Sequence, residues 1–194
     1  MDAMERLVKE NPYITPQEAM EAGVSKFKFY RYIDNHEFEQ IAHGIYAPKN
    51  EWIDPLFLLH KRCPTAVFSH DEAFYHYGLS DREPIFHTLT VYTGYNTHRL
   101  KASGDCKIYT VKKEWLPIGK TVVKTVFGHD IPMYDPERTI CDLIRSRNSI
   151  EIQEFNTVLK TYLSKPEKNL NRLMTYAETF RIKNVVRRYL EVLL

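Results

Sequence analysis

Lys26, Lys28 and Arg31 are interleaved with Phe27 and Tyr30 in the stretch "SKFKFYRYID". Lysine and arginine hold phosphates, and aromatic rings beside them can meet sugars and thymine methyl groups. On a helical wheel of about 100° per residue, Phe29, Tyr32 and Ile33 share one face, expected to be core. Phe27, Tyr30 and Arg31 fall opposite, flanked by Lys26 and Lys28. A helix that merely plugs a core would not carry Phe and Tyr between three cations. Ser25 can cap this helix, and no acidic residue stands in its first turn. Its positive end is therefore open to a phosphate. The plainer alternative is a small helical module used for protein contacts.

Two further clusters invite chemistry. His70-Asp71-Glu72 with His76 has the residue types of a metal or acid/base site, but only Glu72 and His76 share a helical i,i+4 face. No other ligand stands at metal-binding spacing, and the two carboxylates suit the first turn of a helix. The expectation is no metal and no cofactor. In "DPERTICDLIR", Arg138 and Asp142 are i,i+4 neighbours with Thr139 between them. Such a pair can form an ion pair on one helical face, and a structural clamp is the preferred reading over catalysis. The chain carries no Gly-rich phosphate loop, Gly-x-Ser-x-Gly elbow or His-Glu-x-x-His helix. It is therefore read as a non-enzyme.

The elements that would position these residues follow from caps and periodicity. Residues 2–10 have helical spacing, and Thr15-Pro16 with Glu18 form a capping box for a second helix ending near Gly23. A third helix, about residues 26–34, follows after a tight turn, which is the helix-turn-helix pattern. "FEQIAHGIYAP" then alternates around His43-Gly44, a candidate two-residue hairpin turn. Three helices and a two-stranded wing make a winged helix-turn-helix over residues 1–48, with His43 at the wing tip.

Residues 52–194 read as a mixed α/β domain with a helical C-terminal end, giving an α+β chain. Asp54-Pro55 starts "LFLLHKRC", "TAVFS" is a short strand, and Ser69 with Glu72 is expected to cap "HDEAFYHY" up to Gly78. Strands are expected at 87–93, 106–111 and 120–128 and in "IPMY". Asp135-Pro136 then opens a helix, and three more fill the C-terminal end.

The bulk properties fit this organisation. The chain has 194 residues, 43% hydrophobic, enough for one large or two small cores. No apolar run approaches the ~20 residues that span a bilayer, and "MDAMERLVKENP" is unlike a signal peptide, so a cytoplasmic location is expected. Cys63, Cys106 and Cys141 are few and far apart, which argues against a disulfide framework. Residues 1–50 hold 6 Lys/Arg against 8 Asp/Glu, whereas residues 145–194 hold 10 against 5. The basic end points either to an anionic partner or to a solvated helical face.

With "GVSKFKFYRYIDNHEFEQIAHGIYAP", "SHDEAFYHYGLSD" and "YDPERTICDLI" in this order and spacing, the chain resembles the AbiEi family of antitoxin transcriptional regulators. These belong to type IV, abortive-infection toxin–antitoxin systems, and the likeness runs over nearly the whole chain. The resemblance implies a DNA-binding autorepressor that recognises inverted repeats in its own promoter. It also implies an antitoxin that opposes a nucleotidyltransferase-like toxin without a stable complex. The positions carried over for DNA are Ser25, Lys26, Phe27, Lys28, Tyr30 and Arg31 on the helix and His43 on the wing. Lys183, Arg187 and Arg188 are candidates for flanking DNA. Many relatives are more basic here, often with Arg where this chain has Phe27 or His43, a weaker phosphate ligand. A monomer binding cooperatively on DNA fits this picture. The alternatives are a module that neutralises a toxin by direct contact, and an enzyme acting on nucleic acid or on the toxin.

Overall fold

The computed structural model describes residues 2–101 and 104–193. The chain is mixed α+β and divides into two compact units, Met1–Lys61 and Arg62–Leu194.

In the first unit, α1 (Ala3–Glu10) begins on Asp2, which exchanges cap hydrogen bonds with Glu5. The expected capping box opens α2 (Pro16–Glu21): Glu18 N donates to Thr15 Oγ1 at 3.1 Å, and Thr15 N to Glu18 Oε2 at 2.9 Å. Gly23, at φ +81°, reverses the chain while Val24 N donates to Ala19 O at 2.8 Å. Then come α3 (Lys26–Asn35) and an antiparallel hairpin of β1 (Phe38–Ala42) and β2 (Ile45–Pro48). Its turn is His43-Gly44, with Gly44 at φ +70°. Ile14 bonds in both directions with Tyr46 at 2.9 Å, tying the hairpin to the loop between α1 and α2. Met4, Leu7, Ile14, Ala19, Phe29 and Ile33 close over one buried cluster.

The unit boundary falls later than residues 48–52, where the sequence suggests it. The cause is α4 (Pro55–Arg62), which belongs to the first unit as far as Lys61. The Tyr13 hydroxyl accepts from Asp54 N at 2.5 Å, its ring meets Phe57 at 5.3 Å, and Lys61 pairs with Glu18 at 2.5 Å.

The second unit is built on five strands: β3 (Val67–Phe68), β4 (His87–Tyr92), β5 (Cys106–Val111), β6 (Lys120–Lys124) and β7 (Asp130–Tyr134). They lie in the order β5-β4-β3-β7-β6. The sheet is mixed: β3 is parallel to β7 and antiparallel to β4, β4 is parallel to β5, and β6 is antiparallel to β7. Helices α5 (Asp71–His76), α6 (His98–Lys101), α7 (Pro136–Arg145), α8 (Ile152–Ser164), α9 (Leu170–Thr179) and α10 (Lys183–Leu193) complete it. Every residue of α7 from Glu137 to Ile144 is buried, and α7 shares a core with Phe155, Tyr162, Leu173 and Phe180.

One expected cap is overturned. Ser69 and Glu72 do not cap α5; the N-cap position is His70, which makes no side-chain cap bond. The Ser69 hydroxyl is held by Thr90 Oγ1 at 2.8 Å and His70 Nδ1 at 3.0 Å, and the Glu72 carboxylate meets His87 Nδ1 at 2.6 Å. The strand expected over 120–128 ends at Lys124, because Thr125 opens a turn closed by Gly128 N to Thr125 O at 2.9 Å.

Candidate nucleic-acid interface

α3 is two-sided, as its spacing suggests. Phe29 and Ile33 are buried at 0% and 6% exposure, while Phe27 stands 74% exposed and Tyr30 37%. Tyr32, expected in the core set, is half-buried and stacks on His36 at 3.8 Å. Lys26, Lys28 and Arg31 are all exposed, and among the described residues none of them forms an ion pair. The Ser25 hydroxyl accepts from Lys28 N at 3.3 Å, and no acidic residue stands in the first turn. Lys26 and Lys28 thus stand in the first turn, at the positive pole of a ten-residue helix, with Arg31 about one turn further along.

Tyr46 is a part of this surface that strand alternation alone does not reveal. Its ring meets Phe29 at 5.5 Å and Tyr30 at 6.1 Å, both edge-on, so Tyr30 leans on the hairpin rather than projecting freely. Burial raises the Tyr46 pKa, and the Tyr30 hydroxyl beside it raises it further. Lys28 and Arg31 also border a recess of about 270 Å³ shared with Asp2 and Asn35. The carboxylate of Asp2 tempers the positive potential on that side. His43 is exposed at the hairpin tip.

The three C-terminal cations lie on α10, in the second unit. Lys183 pairs with Glu178 at 3.1 Å, so it is less available to an anion than the sequence suggests; Arg187 and Arg188 are exposed.

The expected i,i+4 pair on α7 forms: Arg138 Nε donates to Asp142 Oδ2 at 2.8 Å with both side chains buried. Arg138 Nη1 also donates to Trp115 O and Ile118 O, each at 2.7 Å, and its guanidinium lies between the rings of Tyr134 and Phe180. Thr139 Oγ1 reaches Tyr134 O at 3.4 Å. These contacts tie α7 to the sheet and to the loop before β6. Arg145 shares Asp142 at 2.7 Å, a contact that the helical wheel does not rank above any other.

His70, Asp71, Glu72 and His76 do not converge. Glu72 takes His87, and the strongest cause of the raised His87 pKa is that hydrogen bond. Asp71 has its pKa raised by burial. No group of three His, Cys, Asp or Glu side chains among the described residues could hold a metal. No described helix is long and apolar enough to cross a membrane. Compared with known protein families and with curated proteins, the chain finds no match.

Proposed function

We propose that the first unit is a winged helix-turn-helix that binds double-stranded DNA, with α3 entering the major groove and the β1–β2 hairpin as the wing. The observation that carries this reading is the outer face of α3. Lys26, Lys28 and Arg31, without an ion pair among the described residues, surround Phe27 and Tyr30 over a buried rear face. A helix of ten residues is about 15 Å long, suited to a groove about 12 Å wide. Lys26 would hold a phosphate, Lys28 and Arg31 would reach phosphates or base edges, and Phe27 and Tyr30 would meet sugars or thymine methyl groups. His43 would touch the neighbouring backbone from the wing.

The chain as a whole is then an autorepressor and antitoxin of a type IV toxin–antitoxin operon. This reading rests on the sequence resemblance, and it places antitoxin action in the second unit, opposing a nucleotidyltransferase-like toxin without a stable complex. Mobility shifts with DNA from upstream of the coding sequence test the DNA reading. Wild-type protein should give a specific shift, and joint replacement of Lys26, Lys28 and Arg31 by Ala should weaken it strongly without unfolding the chain. An undiminished shift from that variant would remove α3 as the reading surface. Co-purification of chain and toxin as a lasting complex would favour direct contact instead.

A further inference from the structure

A second recess, of about 270 Å³, lies wholly within the second unit between β5 and the C-terminal end of α7. Its walls include His70, Tyr109, Asp142, Arg145, Ser146 and Arg147. We propose that this recess binds a phosphate oxyanion, either free or carried by a small phosphomonoester. The proposal does not depend on the DNA reading.

The first support is the backbone of His70. It has φ +49° and ψ −120°, a conformation that favours glycine and strains any residue with a Cβ. Glu37, Asn50 and Arg181 also have positive φ, but all three are exposed, whereas His70 is 2% exposed. Glycine would turn this strand-to-helix corner without strain. What the imidazole adds is support for the recess wall. Its Nε2 lies 3.1 Å from Ser146 Oγ, its Nδ1 lies 3.0 Å from Ser69 Oγ, and its ring stacks on Tyr109 at 3.5 Å and 7°. His70 is thus a positioning residue that fixes one hydroxyl and one ring of the wall. With the proton on Nε2, the imidazole donates to Ser146 Oγ and leaves the serine O–H free to donate to an anion.

The second support is charge. Asp142 is shared by Arg138 and Arg145, and Arg147 adds a third guanidinium on the recess lining, its Nη1 donating to Ile144 O at 3.3 Å. The net +2 outweighs the roughly half negative charge at the C-terminal pole of α7. Arg145 is 22% exposed, pairs with Asp142 and packs against the edge-to-face pair of Trp115 at 5.1 Å and Phe180 at 5.4 Å, so its position is largely fixed before any ligand arrives. Two guanidiniums and a hydroxyl on consecutive residues suit the several acceptor oxygens of phosphate better than the two of a carboxylate. The volume lies near the lower end for ligand pockets, which favours a small ligand.

The test follows the His70 ring signals by NMR in full-length, histidine-labelled protein at constant ionic strength. Inorganic phosphate, adenosine 5′-monophosphate and, as the uncharged control, adenosine are titrated separately. Phosphate or the monophosphate should shift the His70 signals saturably, adenosine should not, and Arg147→Ala should weaken binding by about tenfold or more. Ser146→Ala should weaken it too. Saturation by phosphate alone identifies the free ion as ligand, and saturation by the monophosphate alone identifies a phosphomonoester. Absence of a saturable shift with either at millimolar concentration, or unaltered titrations of both variants, would overturn the site.

Discussion

At the scale of single residues, the decisive groups are side chains whose surroundings contradict their usual preference. Phe27 is a large ring left in water, and what sets it apart from the chain's other exposed apolar side chains is its place on α3 between Lys26 and Lys28. His70 is the opposite, an imidazole fully enclosed. Burial lowers its pKa from 6.5 to about 4, with Asp142 partly opposing that effect. Because the folded value lies below the unfolded one, His70 is neutral in the native protein and must stay so. Its contribution to stability is complete above about pH 6.5 and is lost as pH falls toward 4, by up to about 3 kcal/mol. His87 has the reverse sign: its raised pKa adds stability at low pH that fades as pH rises through its folded value. Urea unfolding from pH 7.5 to 4.5, compared between wild type and His70→Gln, isolates the first effect. Wild type should lose more stability on acidification than the variant. Parallel curves would mean that His70 titrates as freely as an exposed histidine.

At the scale of elements, α7 shows what sequence can and cannot supply. Its ends were legible because Asp135 and Pro136 are local signals, and Asp135 Oδ1 does accept from Arg138 N at 2.8 Å. That both Arg138 and Asp142 are buried was not legible, since the spacing fits a solvated face equally well. The partners that make burial tolerable, Trp115 O and Ile118 O, lie about twenty residues away in the chain. The same limit explains the false cap at Ser69 and Glu72. Local spacing was right, but Thr90 and His87, brought alongside by β4, compete for both side chains. On α3 the exposed and buried faces follow from a period of 3.6, so most of that candidate site was readable; its Tyr46 backing was not, because hairpin register sets it. Gly119 offers an element-scale test. At φ +72° it lies so near Arg138 that an added Cβ would collide with the arginine's own Cβ. Gly119→Ala should destabilise the chain by more than ~1 kcal/mol, through strain and displacement of α7. A change in urea midpoint too small to resolve would show that this junction is loose.

At the scale of the whole molecule, the two compact units fit a division of labour. The first carries a cationic, aromatic helix face and a hairpin; the second carries a mixed sheet, a helix with buried charges and a positively charged recess. Net charge does not mark the first unit as a DNA binder, for its first 50 residues hold more acids than bases. The DNA reading therefore depends on where three cations stand rather than on how many the unit contains. That dependence makes the salt response the most direct measurement. The affinity for upstream promoter DNA should be followed against salt concentration for wild type and for the variant with Lys26, Lys28 and Arg31 all changed to Ala. If each cation neutralises one phosphate, the slope of log K against log salt should fall in magnitude by about 3 in the variant. Equal slopes for the two proteins would contradict the account, because DNA would then be held by some other surface.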